Sequence, residues 1–137
     1  MYTYTRRAHY HETDKMGIIH HSNYIKWMEE ARIAYMEHLG YGFERVEELG
    51  VMSPVAGLSI SYKTPSRFND EIAITVSVTR YSGVVQEISY EFMNNTTGQV
   101  CATASSKHCY TKDGRIVNLK HEIPELHEIF SKELVKA

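Results

Sequence analysis

From Tyr24 onward the apolar residues Tyr24, Met28, Ala31, Tyr35 and Leu39 recur at spacings of four, three, four and four. That period lays a single stripe along a helix running from Ser22 to His38. Glu29, Glu30, Arg32 and Glu37 fall largely outside the stripe. Ser22 or Asn23 is the expected N-cap, and Gly40 the expected stop. A helix of this length cannot bury its stripe alone, and its surroundings read as β. Residues 2–10 alternate aromatic and polar, as in a half-buried strand. After a short helix at 43–49, strands are expected at 55–63, 70–80, 84–93 and 99–111. The turns are Thr64-Pro65-Ser66, Tyr81-Ser82-Gly83, Asn94-Asn95-Thr96-Thr97-Gly98 and Lys112-Asp113-Gly114-Arg115. Ile116 to Leu119 reads as a short extended piece. Pro124 opens a terminal helix with Leu126, Ile129, Phe130 and Leu134 on its apolar face. The expectation is one α+β domain over residues 1–137, an antiparallel sheet wrapped around a long central helix.

Charge removes several classes of function. The 137 residues carry a net charge of −2 and a pI near 6.4. No basic excess exists to neutralise a nucleic-acid backbone. No apolar run approaches the ~20 residues of a membrane span, and the N-terminus lacks an apolar signal core, so the expected location is cytoplasmic. Cys101 and Cys109 lie in one expected strand, which holds them too far apart to bond. Both read as free thiols of a reducing compartment.

Chemistry concentrates at Tyr10-His11-Glu12-Thr13-Asp14-Lys15-Met16-Gly17-Ile18-Ile19-His20-His21-Ser22-Asn23-Tyr24. A carboxylate, a glycine turn and a histidine pair stand just ahead of the long helix. A helix N-terminus offers unpaired N–H groups and partial positive charge. Those groups can hold a developing oxyanion while a nearby carboxylate acts as base or nucleophile. That combination suits acyl transfer.

Thr13 to Tyr24, followed by Glu29-Glu30-Ala31-Arg32, resembles the hotdog-fold acyl-CoA thioesterases of the 4-hydroxybenzoyl-CoA thioesterase type, including those encoded with the Tol–Pal system. Tyr62-Lys63-Thr64-Pro65-Ser66-Arg67-Phe68-Asn69-Asp70 resembles a second segment of that family, with Ser66 where alanine is usual. The resemblance implies a hotdog fold and hydrolysis of an acyl-CoA thioester to free acid and coenzyme A. It implies Asp14 as base or nucleophile, the His21 amide on the thioester oxygen, and Tyr10 as a further catalytic group. Gly17, Asn23, Tyr24 and Arg67 are the matching substrate-binding positions. It implies no cofactor and no metal, and a homodimer or homotetramer with sites at the subunit interface.

Other residues keep plainer readings beside these. His9 and His11, on one expected strand face, form at most a weak metal pair. Glu29 and Glu30 read as solvated or intersubunit charges, with Arg32 the partner of one of them. Ser82 and Gly83 could contact pantetheine or phosphate. Arg67, Arg80, Lys107, Lys112 and Arg115 are the cations available to coenzyme A phosphates. Trp27, Met28 and Tyr35 are acyl-pocket or core residues. An acyl-carrier-protein thioesterase, another hotdog enzyme and a non-catalytic acyl-CoA-binding module remain as alternatives.

Overall fold

A computed structural model describes residues 1–135, so residues 136–137 of the expected domain lie outside the described residues. The order is β1 (Tyr2–Arg7), α1 (Ser22–His38), α2 (Phe43–Glu48), β2 (Val51–Met52), β3 (Val55–Tyr62), β4 (Glu71–Tyr81), β5 (Val85–Asn94), β6 (Gln99–Cys109), β7 (Thr111–Lys112), β8 (Arg115–Ile116), α3 (Leu119–Glu122) and α4 (Pro124–Glu133). Five antiparallel strands form the main sheet in the order β1-β4-β5-β6-β3. β2, β7 and β8 form a small second sheet.

The alternation in β4 explains where the core lies. Ile72, Ile74, Val76 and Val78 all face inward and are fully buried. Ile88, Tyr90 and Phe92 of β5 continue that face. Against it packs α1 through Tyr24, Trp27, Met28, Ala31, Tyr35 and Met36. The expected stripe is therefore the buried one, widened by Trp27 and Met36, while Leu39 is half-buried at the helix end. Each large side chain removed from water here contributes about 1.5–3 kcal/mol. Register shifts that skip Thr79 of β4 and Cys101 of β6 let the sheet curve over the helix.

Several boundaries differ from expectation. β1 ends at Arg7, and residues Tyr10–Glu12 form one 3-10 turn. The cause is Glu12, whose carboxylate turns back onto the His9 N–H at 2.7 Å. His9 and His11 consequently share no strand face; their rings meet edge to face. The expected strand at 99–111 stops at Cys109, and β7 and β8 form a hairpin with Asp113 and Gly114 at positive φ. Leu119 opens α3 instead of closing an extended piece, because Asn118 caps the Lys120 N–H. Both cysteines sit in β6 as free thiols. Leu126 and Phe130 bury α4 against the sheet.

Candidate active site

The loop ahead of α1 is built as a tight turn. The Gly17 N–H donates to the Asp14 carbonyl at 3.0 Å, and the Asp14 N–H to the Ile18 carbonyl at 2.9 Å. Gly17 has φ of +76°, which a side chain would strain. Asp14 Oδ1 accepts the Met16 N–H at 2.8 Å, leaving Oδ2 without a partner among the described residues. Single bridges join Thr13 to Ile19 and Ile18 to Arg67, which stitch the loop to the Pro65–Asp70 segment.

Beneath that loop lies a charged anchor. Glu12 is buried and pairs with Arg6 at 2.7 Å, and Arg6 reaches Glu30 at 2.7 Å. Trp27 donates its indole N–H to Glu12 at 2.8 Å. Burial pushes the Glu12 carboxyl up, but the His9 N–H, the Trp27 indole and the Arg6 charge outweigh it and hold it below the usual range. Asn23 donates its side-chain amide to the Glu12 carbonyl at 2.9 Å. The first turn of α1 is thereby fixed to the chain that carries Asp14.

The helix start departs from the expected caps. The N-cap is His21, whose own side chain makes no capping bond, and His20 Nδ1 accepts the Ser22 N–H at 3.2 Å. Ser22 is engaged with His20 Nδ1 at 2.8 Å, while Asn23 is already helical and directed at the loop. The Asn23 N–H reaches the His20 carbonyl and the Tyr24 N–H the His21 carbonyl. The His21 N–H has no partner among the described residues.

Asp14, His21 and Tyr24 line one cavity of about 330 Å³. Met16, Ile18 and Ile19 form one wall, and Tyr62 to Pro65 the other. The Tyr62 hydroxyl donates to the His21 carbonyl at 3.2 Å, and its ring meets Tyr24 edge to face. Burial raises the Tyr24 phenol above its ordinary value, so it stays protonated.

Not every expected residue reaches this cavity. Tyr10 is largely exposed and stands edge-on to Phe68. Ser82 accepts the Val85 N–H at 3.1 Å within its own turn. Gly83 is glycine because a side chain there would meet Asn118 Oδ1 at 2.3 Å. Both lie at the α3 end of the sheet. Arg67 is exposed beside the Asp14 loop, positioned by its bridge to Ile18. Arg32 pairs with neither Glu29 nor Glu30; it points under the sheet to His108, while Glu30 is taken by Arg6 and Tyr4. Trp27 and Met28 are core residues. Sequence reasoning missed Glu12 and the cavity role of Tyr62. The Glu three residues after His9 is a capping-box signal that points to the first of them.

The curved antiparallel sheet over one long helix is the hotdog architecture. The sequence model of the thioesterase-like superfamily matches residues 8–130. A Bacillus subtilis (strain 168) protein named "Putative acyl-CoA thioesterase YneP" is 33% identical over 125 residues, 90% of each chain. The crystal structure of a DHNA-CoA thioesterase from Staphylococcus aureus superposes with a TM-score of 0.90 at 32% identity, covering 95% of this chain and 88% of the other. An Aquifex aeolicus crystal structure of a hypothetical protein superposes at 0.88 with 28% identity, over 95% and 99%. The chain belongs to the thioesterase-like superfamily and is a hotdog-fold acyl-CoA thioesterase. Among the described residues no helix is long and apolar enough to cross a membrane.

Proposed function

We propose that the chain hydrolyses an acyl-CoA thioester at the cavity before α1, with Asp14 as the reacting carboxylate. The observation that carries this reading is the shared cavity: Asp14 and His21, whose N–H is free among the described residues at the start of α1, line the same space. The thioester oxygen takes the His21 N–H, where the helix dipole favours negative charge. Asp14 Oδ2 then either removes a proton from water, which adds to the carbonyl carbon, or adds to that carbon itself. The C–S bond breaks and coenzyme A leaves as thiolate. In the second route water hydrolyses the resulting anhydride. Gly17 shapes the loop, Asn23 fixes it to the helix, and Tyr24 forms the wall against the acyl group. Arg67 supplies a cation for a coenzyme A phosphate. This reading assigns Tyr10, Ser82 and Gly83 no step.

A homodimer or homotetramer belongs to the same reading. β3 is an edge of the main sheet and exposes Val55, Leu58 and Tyr62, with Ile25 of α1 beside them. The other edge, β1, presents Thr3, Thr5 and Arg7 instead. An apolar open edge favours pairing with a second copy.

The test is thiol release from short, long and aromatic acyl-CoAs by the wild type and Asp14→Asn. Turnover by the wild type that is lost in Asp14→Asn supports the reading. Full turnover in Asp14→Asn removes Asp14 from the mechanism. Binding without turnover on every substrate favours a carrier-protein substrate or a binding module.

A further inference from the structure

A second cavity, of about 310 Å³, opens beyond the middle of α1, between α1, α2, α4 and the sheet. It shares no lining residue with the Asp14 cavity. Met36, Val46, Ile88, Leu126 and Phe130 give it an apolar wall. Arg32 and Gln86 interrupt that wall. Each carries a buried donor without a partner among the described residues, Nε of Arg32 and Nε2 of Gln86. Gln86 is 3% exposed, and its Oε1 is already taken by the Tyr110 hydroxyl. What remains free on it is the amide N–H₂ alone.

The charge on Arg32 is also unmatched. Its Nη1 lies 2.7 Å from His108 Nδ1, and His108 Nε2 lies 2.7 Å from the Ser106 hydroxyl. Burial and the Arg32 charge push His108 down to about 4, so the ring is neutral at pH 7 and cancels no charge. Among the described residues no carboxylate lies within salt-bridge distance of Arg32. Among the described residues Glu47 is the one carboxylate lining the cavity, and its side chain is exposed. Phe43 holds the guanidinium at the wall, with Cζ 5.3 Å from the ring centroid.

The cavity thus offers apolar surface, unused donors and a positive charge that its exposed Glu47 does not reach. Buried donors in native proteins are almost always met. Water would meet the donors but would leave the charge uncompensated and wet an apolar wall. The complement is a molecule with an anionic acceptor at one end and an apolar body. We propose that this cavity binds a small carboxylic acid, its carboxylate on Arg32 and Gln86 and its apolar body among Met36, Val46, Ile88 and Phe130. The ligand class includes the free acids that thioester hydrolysis releases. The assignment does not depend on which residue performs that hydrolysis.

The experiment is a titration of the isotope-labelled full chain with octanoate and with 1-naphthoate, read at the methyl groups. Calorimetry follows on the wild type, Arg32→Met, Gln86→Met and Asp14→Asn. At least one acid is expected to shift Met36, Val46, Ile88 and Leu126 and to leave Met16, Ile18 and Ile19 in place. Its affinity is expected to fall about tenfold to a hundredfold in Arg32→Met and Gln86→Met and to hold in Asp14→Asn. The corresponding alcohol, octanol or 1-naphthalenemethanol, is expected to bind the wild type at least tenfold more weakly. The methyl map and the alcohol comparison need no variant, so they decide the matter even where a substitution disturbs folding. Binding of neither acid overturns the proposal. So do shifts confined to Met16, Ile18 and Ile19, or an alcohol that binds as well as its acid.

Discussion

Glu12 holds Trp27 and Arg6 with different oxygens: Oε2 accepts the indole N–H at 2.8 Å, and Oε1 takes the guanidinium at 2.7 Å. One carboxylate thereby ties β1, the Asp14 loop and the second turn of α1 together. Neutralising it leaves a largely buried Arg6 with one carboxylate among the described residues, Glu30. Glu12→Gln is expected to cost about 3 kcal/mol in urea unfolding at pH 7. Because the folded carboxyl sits below its unfolded value of 4.5, this stabilisation is complete above pH 4.5 and fades as the pH falls below it. The gap between wild type and Glu12→Gln should therefore narrow below pH 4.5. A constant gap down to pH 3 would mean the loss is steric and not electrostatic.

Asp14 is half-exposed, and among the described residues the only hydrogen bond to its carboxylate comes from the Met16 N–H. Asp14→Asn keeps that acceptor, so the melting temperature should move little. Turnover should drop about 10²- to 10⁴-fold, the usual contribution of a base or nucleophile. A drop carried by KM with kcat intact would assign Asp14 to binding alone.

The long helix was legible because its stripe has one period and one interpretation. Ser22–His38 is the span in both sequence and structure. β4 and β5 were legible for the same reason, since their alternation is clean and their turns rich in Gly and Asn. What local pattern cannot show is a contact made across sequence distance. Residues 2–10 alternate well enough for a longer strand, yet Glu12 ends it early by reaching Arg6 and Trp27. Arg32 looks like a helix-surface charge in sequence, but Arg6 takes Glu30 and Arg32 turns under the sheet. Of the expected site residues, Asp14, His21 and Tyr24 share one cavity because short-range turns fold their run together, whereas Arg67 comes beside that loop through a bridge to Ile18, distant in sequence. Ser82 and Gly83 suit a ligand turn in sequence, and the space beside Gly83 is filled by Asn118.

β3 offers a direct test of assembly. Leu58 is exposed on the open edge, where its side chain contributes little to the fold of one subunit. Leu58→Lys places charge on the pairing edge, a common device against strand addition. Light scattering is expected to give a multimer for the wild type and a lower mass for Leu58→Lys, with circular dichroism unchanged. A wild type that stays monomeric at tens of micromolar removes β3 pairing from the proposed function.

His108 makes a second, separable pH response. The ring is 1% exposed, its neutral form serving Arg32 and Ser106 together. Burial first, and the Arg32 charge second, lower it from 6.5 to about 4. The unfolded chain takes up this proton as the pH falls through 6.5, and the folded chain does not until about 4. Stability is thus complete above pH 6.5 and is lost progressively toward pH 4. Glu12 contributes its slope only below 4.5, so the window between 6.5 and 4.5 isolates the histidine. His108→Asn lowers stability at pH 7 by losing the packed ring. Between pH 6.5 and 4.5, however, its unfolding free energy should be flatter than that of the wild type. Arg32→Met removes one of the two causes, which raises the folded histidine toward 6.5 and shortens the sloping window from its acid side. Urea unfolding at half-unit pH steps reads both effects. Equal slopes in the wild type and His108→Asn would show that this ring does not titrate on unfolding in that range.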